Sequence, residues 1–140
     1  KGQHTIPSDT VCYPAKLMHG HIEELLDMGL KDIFYPCMSF NFDEQSGDNH
    51  FNCPVVAYYP ELLEANITRL KQVNFYQPYF GLHRQKDFEK KSFEFFSSKY
   101  GLSRKQNKIA VKKAYKAYDD YKQFIRSEGE KAISYARAFL

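Results

Sequence analysis

Residues 12–37 read CYPAKLMHGHIEELLDMGLKDIFYPC. Pro14 suits the first turn of a helix and Gly29 suits the end of one. Between them Leu17, His21, Ile22, Leu25 and Met28 recur at helical spacing. The apolar run Asp32–Cys37 has turn signals on both sides and reads as a buried strand. Helix, tight turn and strand in that order open an α/β unit.

The same punctuation extends the pattern in the C-terminal direction. Residues 39–52 are polar and acidic and read as a loop. Residues 54–59 (PVVAYY) read as a second strand, which we expect to lie parallel to residues 33–37. Pro60 opens a helix to about Gln72, with Leu62, Leu63, Ile67 and Leu70 on its inner face. Residues 74–80 (NFYQPYF) read as a third strand weakened by Pro78. The alternation predicts a small parallel, Rossmann-like sheet flanked by helices over residues 1–82.

Beyond that point the chain changes character. Residues 1–83 carry 5 Lys/Arg against 10 Asp/Glu, whereas residues 84–140 carry 15 against 7. All prolines, cysteines and histidines fall in the first part. Residues 83–140 read as a basic helical extension. Asp87 caps a helix that Gly101 closes, and Ser103 with Gln106 forms a capping box. From there Val111, Ala114, Tyr118, Tyr121 and Ile125 make an apolar stripe over 103–128, expected to be packed.

With 140 residues, 43% hydrophobic and 26% charged, the composition is that of a folded domain. No apolar run approaches a membrane helix, and the first residues lack the pattern of a signal peptide. The start without Met and the end in a helical pattern read as a piece of a longer chain. Three cysteines make no disulfide framework and suit a reducing compartment, the cytoplasm. Dinucleotide, P-loop, serine-hydrolase and zinc-protease motifs are missing.

The chemistry concentrates at the cysteines. Cys12 immediately precedes a proline-opened helix, where free N–H groups and the helix dipole favour an anion or metal cluster. Cys37 ends a strand, the edge at which open α/β sheets bind ligands. The helix and strand lengths then bring Cys12 and Cys37 near each other. Cys53 directly precedes the following strand and falls at the opposite edge unless the 39–52 loop folds back. Lys16, one turn into the helix, could add positive charge. A structural zinc site from Cys12, Cys37, Cys53 and His50 is the alternative reading. Buried cysteines packing as small hydrophobes is the plainer one. Of the histidines, His21 falls on the apolar face and His19 nearer the surface.

The blocks IPSDTVCYPAKLMHGHIEELLDMGLKDIFYPC and NCPVVAYYPELLEANI resemble the large CoA-substrate-specific enzyme activase-related proteins, relatives of the 2-hydroxyacyl-CoA dehydratase system. The resemblance covers most of residues 5–73 and extends more loosely over 79–140. It implies a portion related to dehydratase subunits, fused to activator-type ATPase domains that bind ATP outside these residues. It implies a [4Fe–4S] cluster relaying electrons to a CoA ester. Cys12 would match its early ligand and Cys37 the ligand at the strand end. Cys53 has no clear counterpart and would be a further ligand or a structural residue. Lys16 would compensate cluster charge. The implied parent is an activator of a CoA-ester dehydratase, in an anaerobe. The implied partners are the other domains of the same polypeptide and the dehydratase, with neither nucleic acid nor membrane. The domain alone is not expected to be catalytic. The alternative is a zinc-binding or protein-interaction module.

Overall fold

The computed structural model describes every residue except Ser46 and Leu140. The chain divides into two compact units, one over Lys1–Phe88 and one from Glu89 onward.

In the first unit, helix α1 spans Tyr13–Asp27, with proline in its first turn. Gly29 adopts φ 75°, the left-handed conformation that lets the chain turn at the helix end. Strand β1 (Asp32–Phe34) follows. Two short helices come next, α2 (Pro54–Ala57) and α3 (Tyr59–Asn66). A 3-10 turn (Thr68–Gln72) leads into β2 (Asn74–Tyr76). β1 and β2 run parallel, with Asp32 opposite Asn74 and Phe34 opposite Tyr76. Cys37 and Tyr79 extend the pairing by an isolated parallel bridge.

The α/β expectation holds in this coarse form, a mostly helical chain with a two-stranded parallel sheet. The expected strand 54–59 is helical instead. Pro54 and Pro60 each occupy a first helical turn, where a missing N–H costs nothing. The Ala57 N–H bonds back to the Cys53 carbonyl and the Tyr58 N–H to the Pro54 carbonyl, both at 2.9 Å. The partner of β1 is therefore β2, and the crossover carries α2 and α3. A chain this long between parallel strands meets the usual crossover requirement. The helix from Pro60 stops at Asn66, short of Gln72.

The core joins Ala15, Ile22 and Leu26 of α1 to Ile33, Tyr59, Leu63, Ile67 and Leu70. The buried stripe of α1 is thus Ala15, His19, Ile22 and Leu26. Leu17 and Met28 of the expected stripe are exposed. The histidine assignment reverses as well: His19 is fully buried and His21 is exposed. His19 can be buried because both ring nitrogens find partners. The N-terminal segment lies against α1 beside it. A Cβ on Gly2 would meet the His19 backbone at 2.6 Å, and Gly2 has φ 74°. Only glycine fits there.

In the second unit, α4 (Gln85–Tyr100, shared with the first unit at its start) ends at Gly101, φ 65°. Helix α5 runs from Arg104 to Arg137, 34 residues. Its start carries the expected capping box: Ser103 accepts from the Gln106 N–H, and the Gln106 side chain accepts from the Ser103 N–H. Gly129 does not interrupt it. Buried Asn107 donates to the Glu89 carbonyl (2.9 Å) and accepts from the Ser92 hydroxyl (3.1 Å). Arg104 lies over the Phe93 ring. The expected packed stripe is only partly buried. Val111 is 3% exposed, but Ala114, Tyr121 and Ile125 face solvent. Helix α5, with 34 residues, is more than twice as long as α4, with 16.

Candidate thiol site

Cys12 and Cys53 lie far apart in the sequence, before α1 and before α2, yet they line one open groove. Each is the residue before a proline-opened helix, with closely matched backbone angles (φ −62°, ψ 156° and φ −61°, ψ 156°). Both thiols are exposed. The groove has a volume of about 540 Å³ and is walled mainly by Val11, Val55, Leu62, Tyr58 and Tyr59, with the Glu61 carboxylate at its margin.

Cys37 is placed differently. It is fully buried, and its backbone is held on both sides: its N–H donates to the Pro78 carbonyl and its carbonyl accepts from Phe80, each at 2.9 Å. Burial pushes its thiol pKa up. Glu61 adds to that shift, and a hydrogen bond with Tyr79 opposes it. The Tyr79 hydroxyl donates to Glu61, which raises the phenol's pKa strongly. The thiol exposed beside Cys12 is therefore Cys53, and Cys37 does not line the groove.

Two phenols, the partly buried Tyr35 and the buried Tyr59, couple to the three cysteines. Tyr35 donates to the Val55 carbonyl (3.1 Å). Its pKa is raised by burial, then by Cys37, Tyr59 and Cys53. Tyr59 is raised by burial and then by Cys12. The Tyr59 hydroxyl lies 3.1 Å from His19 Nε2, and His19 Nδ1 lies 2.8 Å from Thr5 Oγ1. Thr5 Oγ1 is also 2.7 Å from the Gly2 carbonyl, which can only accept. Thr5 thus spends its proton on Gly2 and accepts from His19 Nδ1–H. Nε2 is then left to accept from Tyr59. This neutral tautomer agrees with the histidine pKa, which burial lowers and Glu23 partly restores. The network fixes the ring of Tyr59 at the groove wall.

Lys16 is turned to another task. Its ammonium donates to the Asp9 carbonyl at 2.8 Å, and it does not line the groove. His50 lies 3.8 Å from Asp43 and lines a separate depression with Asn41, Phe42 and Asn49. Among the described residues no three His, Cys, Asp or Glu side chains gather around a point where one metal ion could bind. The set Cys12, Cys37, Cys53 and His50 is therefore not assembled as a zinc site. A [4Fe–4S] cluster takes four thiolates in its usual ligand set. The pair Cys12 and Cys53 fits part of such a set and does not fit a complete one.

Sequence reasoning located Cys12 correctly before a helix but missed the roles of Tyr59, His19, Thr5 and Tyr79. The adjacent Tyr58-Tyr59-Pro60, with one phenol buried and one exposed, was the available signal.

These features define a small α/β domain with an exposed two-cysteine groove, joined to a basic helical unit. Residues 1–139 match the family described as the CoA enzyme activase uncharacterised domain, and the chain belongs to that family. No curated protein and no solved structure matches it. Among the described residues no helix is long and apolar enough to cross a membrane.

Proposed function

We propose that this domain serves the reductive activation of a CoA-ester dehydratase, as the thiol-bearing part of an ATP-linked cytoplasmic activase. Its family supports the CoA-enzyme setting. The observation that carries the chemical role is the groove shared by Cys12 and Cys53. In this reading the two thiolates fill part of the ligand shell of a [4Fe–4S] cluster. The remaining ligands come from another domain of the polypeptide or from the dehydratase. When bound, such a cluster supplies one-electron chemistry at low potential.

The chain's own residues have defined tasks. Cys12 and Cys53 bind. Val11, Val55 and Leu62 keep the groove wall apolar and limit water. Tyr59, held by His19, keeps one wall rigid. Cys37, with its raised pKa and buried position, stays a packed thiol. ATP binding belongs to other domains, so the isolated domain has no catalysis of its own.

The test is anaerobic loading of the parent protein with iron and sulfide. Broad visible absorbance should depend on Cys12 and Cys53, be lost in C12A and in C53A, and survive in C37A. Metal analysis should find iron with sulfide. Zinc without sulfide would support the structural-metal alternative, and loss of absorbance in C37A with retention in C53A would overturn the ligand assignment.

A further inference from the structure

The wall of the groove carries two thiols that the fold does not tie down. Cys12 and Cys53 are both exposed, and neither side chain caps the helix it precedes. Each stands in extended backbone, with a loop before it and a proline-opened helix after it. Cys37 is set apart from them. It is fully buried, and its backbone is bonded on both sides, to Pro78 and to Phe80.

The two exposed thiols share one confined space. The groove volume of about 540 Å³ lies within the range of single-ligand pockets, about 300–1,000 Å³. The same two phenols feel both sulfurs: Cys12 acts on Tyr59, while Cys53 and Tyr59 both act on Tyr35. A disulfide asks for Cβ atoms about 4 Å apart. Forming one here brings the Val11–Cys12 wall onto the Cys53–Pro54 wall and narrows the groove.

We propose that Cys12 and Cys53 are a reversible dithiol–disulfide modification site, whose oxidant is a low-molecular-weight disulfide of the glutathione type. One thiolate attacks the small disulfide. Its sulfur–sulfur bond breaks, a mixed disulfide forms on the protein, and one small thiolate leaves and takes up a proton. The second protein thiolate then attacks the mixed disulfide. The Cys12–Cys53 bond forms and the second small thiol leaves. The protein gives up two electrons and two protons, and the small disulfide gains both. In a reducing compartment such bonds are transient and sense redox state. A bridged pair has no thiolate to offer iron, so the bond closes the site to a cluster. Only this regulatory meaning rests on the function proposed above; the bond itself requires the two thiols alone.

Exchange with oxidised glutathione tests it on the metal-free chain. After acid quenching, alkylation and digestion without reductant, peptide masses should show the Cys12 peptide joined to the Cys53 peptide. Two of the three thiols should be lost, with Cys37 still reduced and no glutathione retained. Dithiothreitol should restore both thiols. Cys12→Ser and Cys53→Ser remove the resolving partner, so each should keep one glutathione on the remaining exposed cysteine. Both positions are exposed, and circular dichroism should report an unchanged fold. Wild-type chain that keeps glutathione on both Cys12 and Cys53 has thiols that do not meet, and overturns the proposal. So does a chain that fails to react, a bond that includes Cys37, or a bond found only between two copies. Loading with iron and sulfide is the separate arm. It should fail on the bridged chain of the parent protein and return after reduction. A bond that forms in a protein that never loads iron would defeat the proposed function and leave the modification site standing.

Discussion

The two units use apolar residues in opposite ways. In the first, α1, β1, α3 and the 3-10 turn surround one core, and Leu63, Ile67 and Leu70 are almost wholly buried. In the second, a 34-residue helix buries only Asn107 and Val111, while Tyr121, Phe124, Ile125, Ile133 and Tyr135 are all about half exposed or more. Amphipathic spacing is thus common to both, but burial follows only where a second element is available to pack against. The first unit stabilises itself and presents chemistry. The second presents a surface.

Substitutions should separate the units by the size of their effect. Leu63→Ala empties a site with no exposure and should cost about 2–5 kcal/mol in denaturant unfolding of the first unit. A cost below that of a surface change would mean that the core lies elsewhere. Tyr59→Phe comes next. It leaves buried His19 Nε2 without its donor and should cost about 1–3 kcal/mol.

The same network predicts a pH dependence. Burial lowers the His19 pKa in the folded state, so on acidification the unfolded chain takes up the proton first. The histidine's contribution is therefore complete above the unfolded value of about 6.5 and is lost as the pH falls below it, towards the folded pKa. Denaturation midpoints measured across that range should fall on acidification, and H19Q should flatten that part of the curve. A midpoint that rises on acidification in the wild type alone would contradict the neutral tautomer.

In the second unit, Ser103→Ala removes the α5 cap and should cost about 1 kcal/mol, seen as an earlier helix melt. Ile125→Ala should be the mildest change. It should alter stability by no more than about 0.5 kcal/mol, because the side chain is already half exposed. A larger loss would mean that this face of α5 is packed within the chain, and would erase the contrast between the units.

What was legible in the sequence was local. Pro14, Gly29, Gly101 and the Ser103–Gln106 box act within a turn of themselves, and each marks a helix end as read. The PVVAYY run was ambiguous because six apolar residues suit a buried strand or a short helix alike. The prolines at 54 and 60 decided for helix once the backbone bonds to Cys53 and Pro54 formed. His19 and His21 could not be ranked by hydrophobic period, since the choice depended on partners at Thr5 and Tyr59, 14 and 40 residues away. The thiol site was half legible for the same reason. Cys12 before a helix is a local feature, whereas its meeting with Cys53 depends on the crossover through α2 and α3.

The central claim is that Cys12 and Cys53 act as one accessible pair while Cys37 is structural. Alkylation under native conditions, mapped by peptide mass before and after anaerobic loading of the parent protein with iron and sulfide, tests it most directly. The account predicts ready labelling of Cys12 and Cys53 beforehand, joint protection of both afterwards, and no labelling of Cys37 until the protein is unfolded. Protection of Cys12 together with Cys37, with Cys53 still reactive, would contradict it.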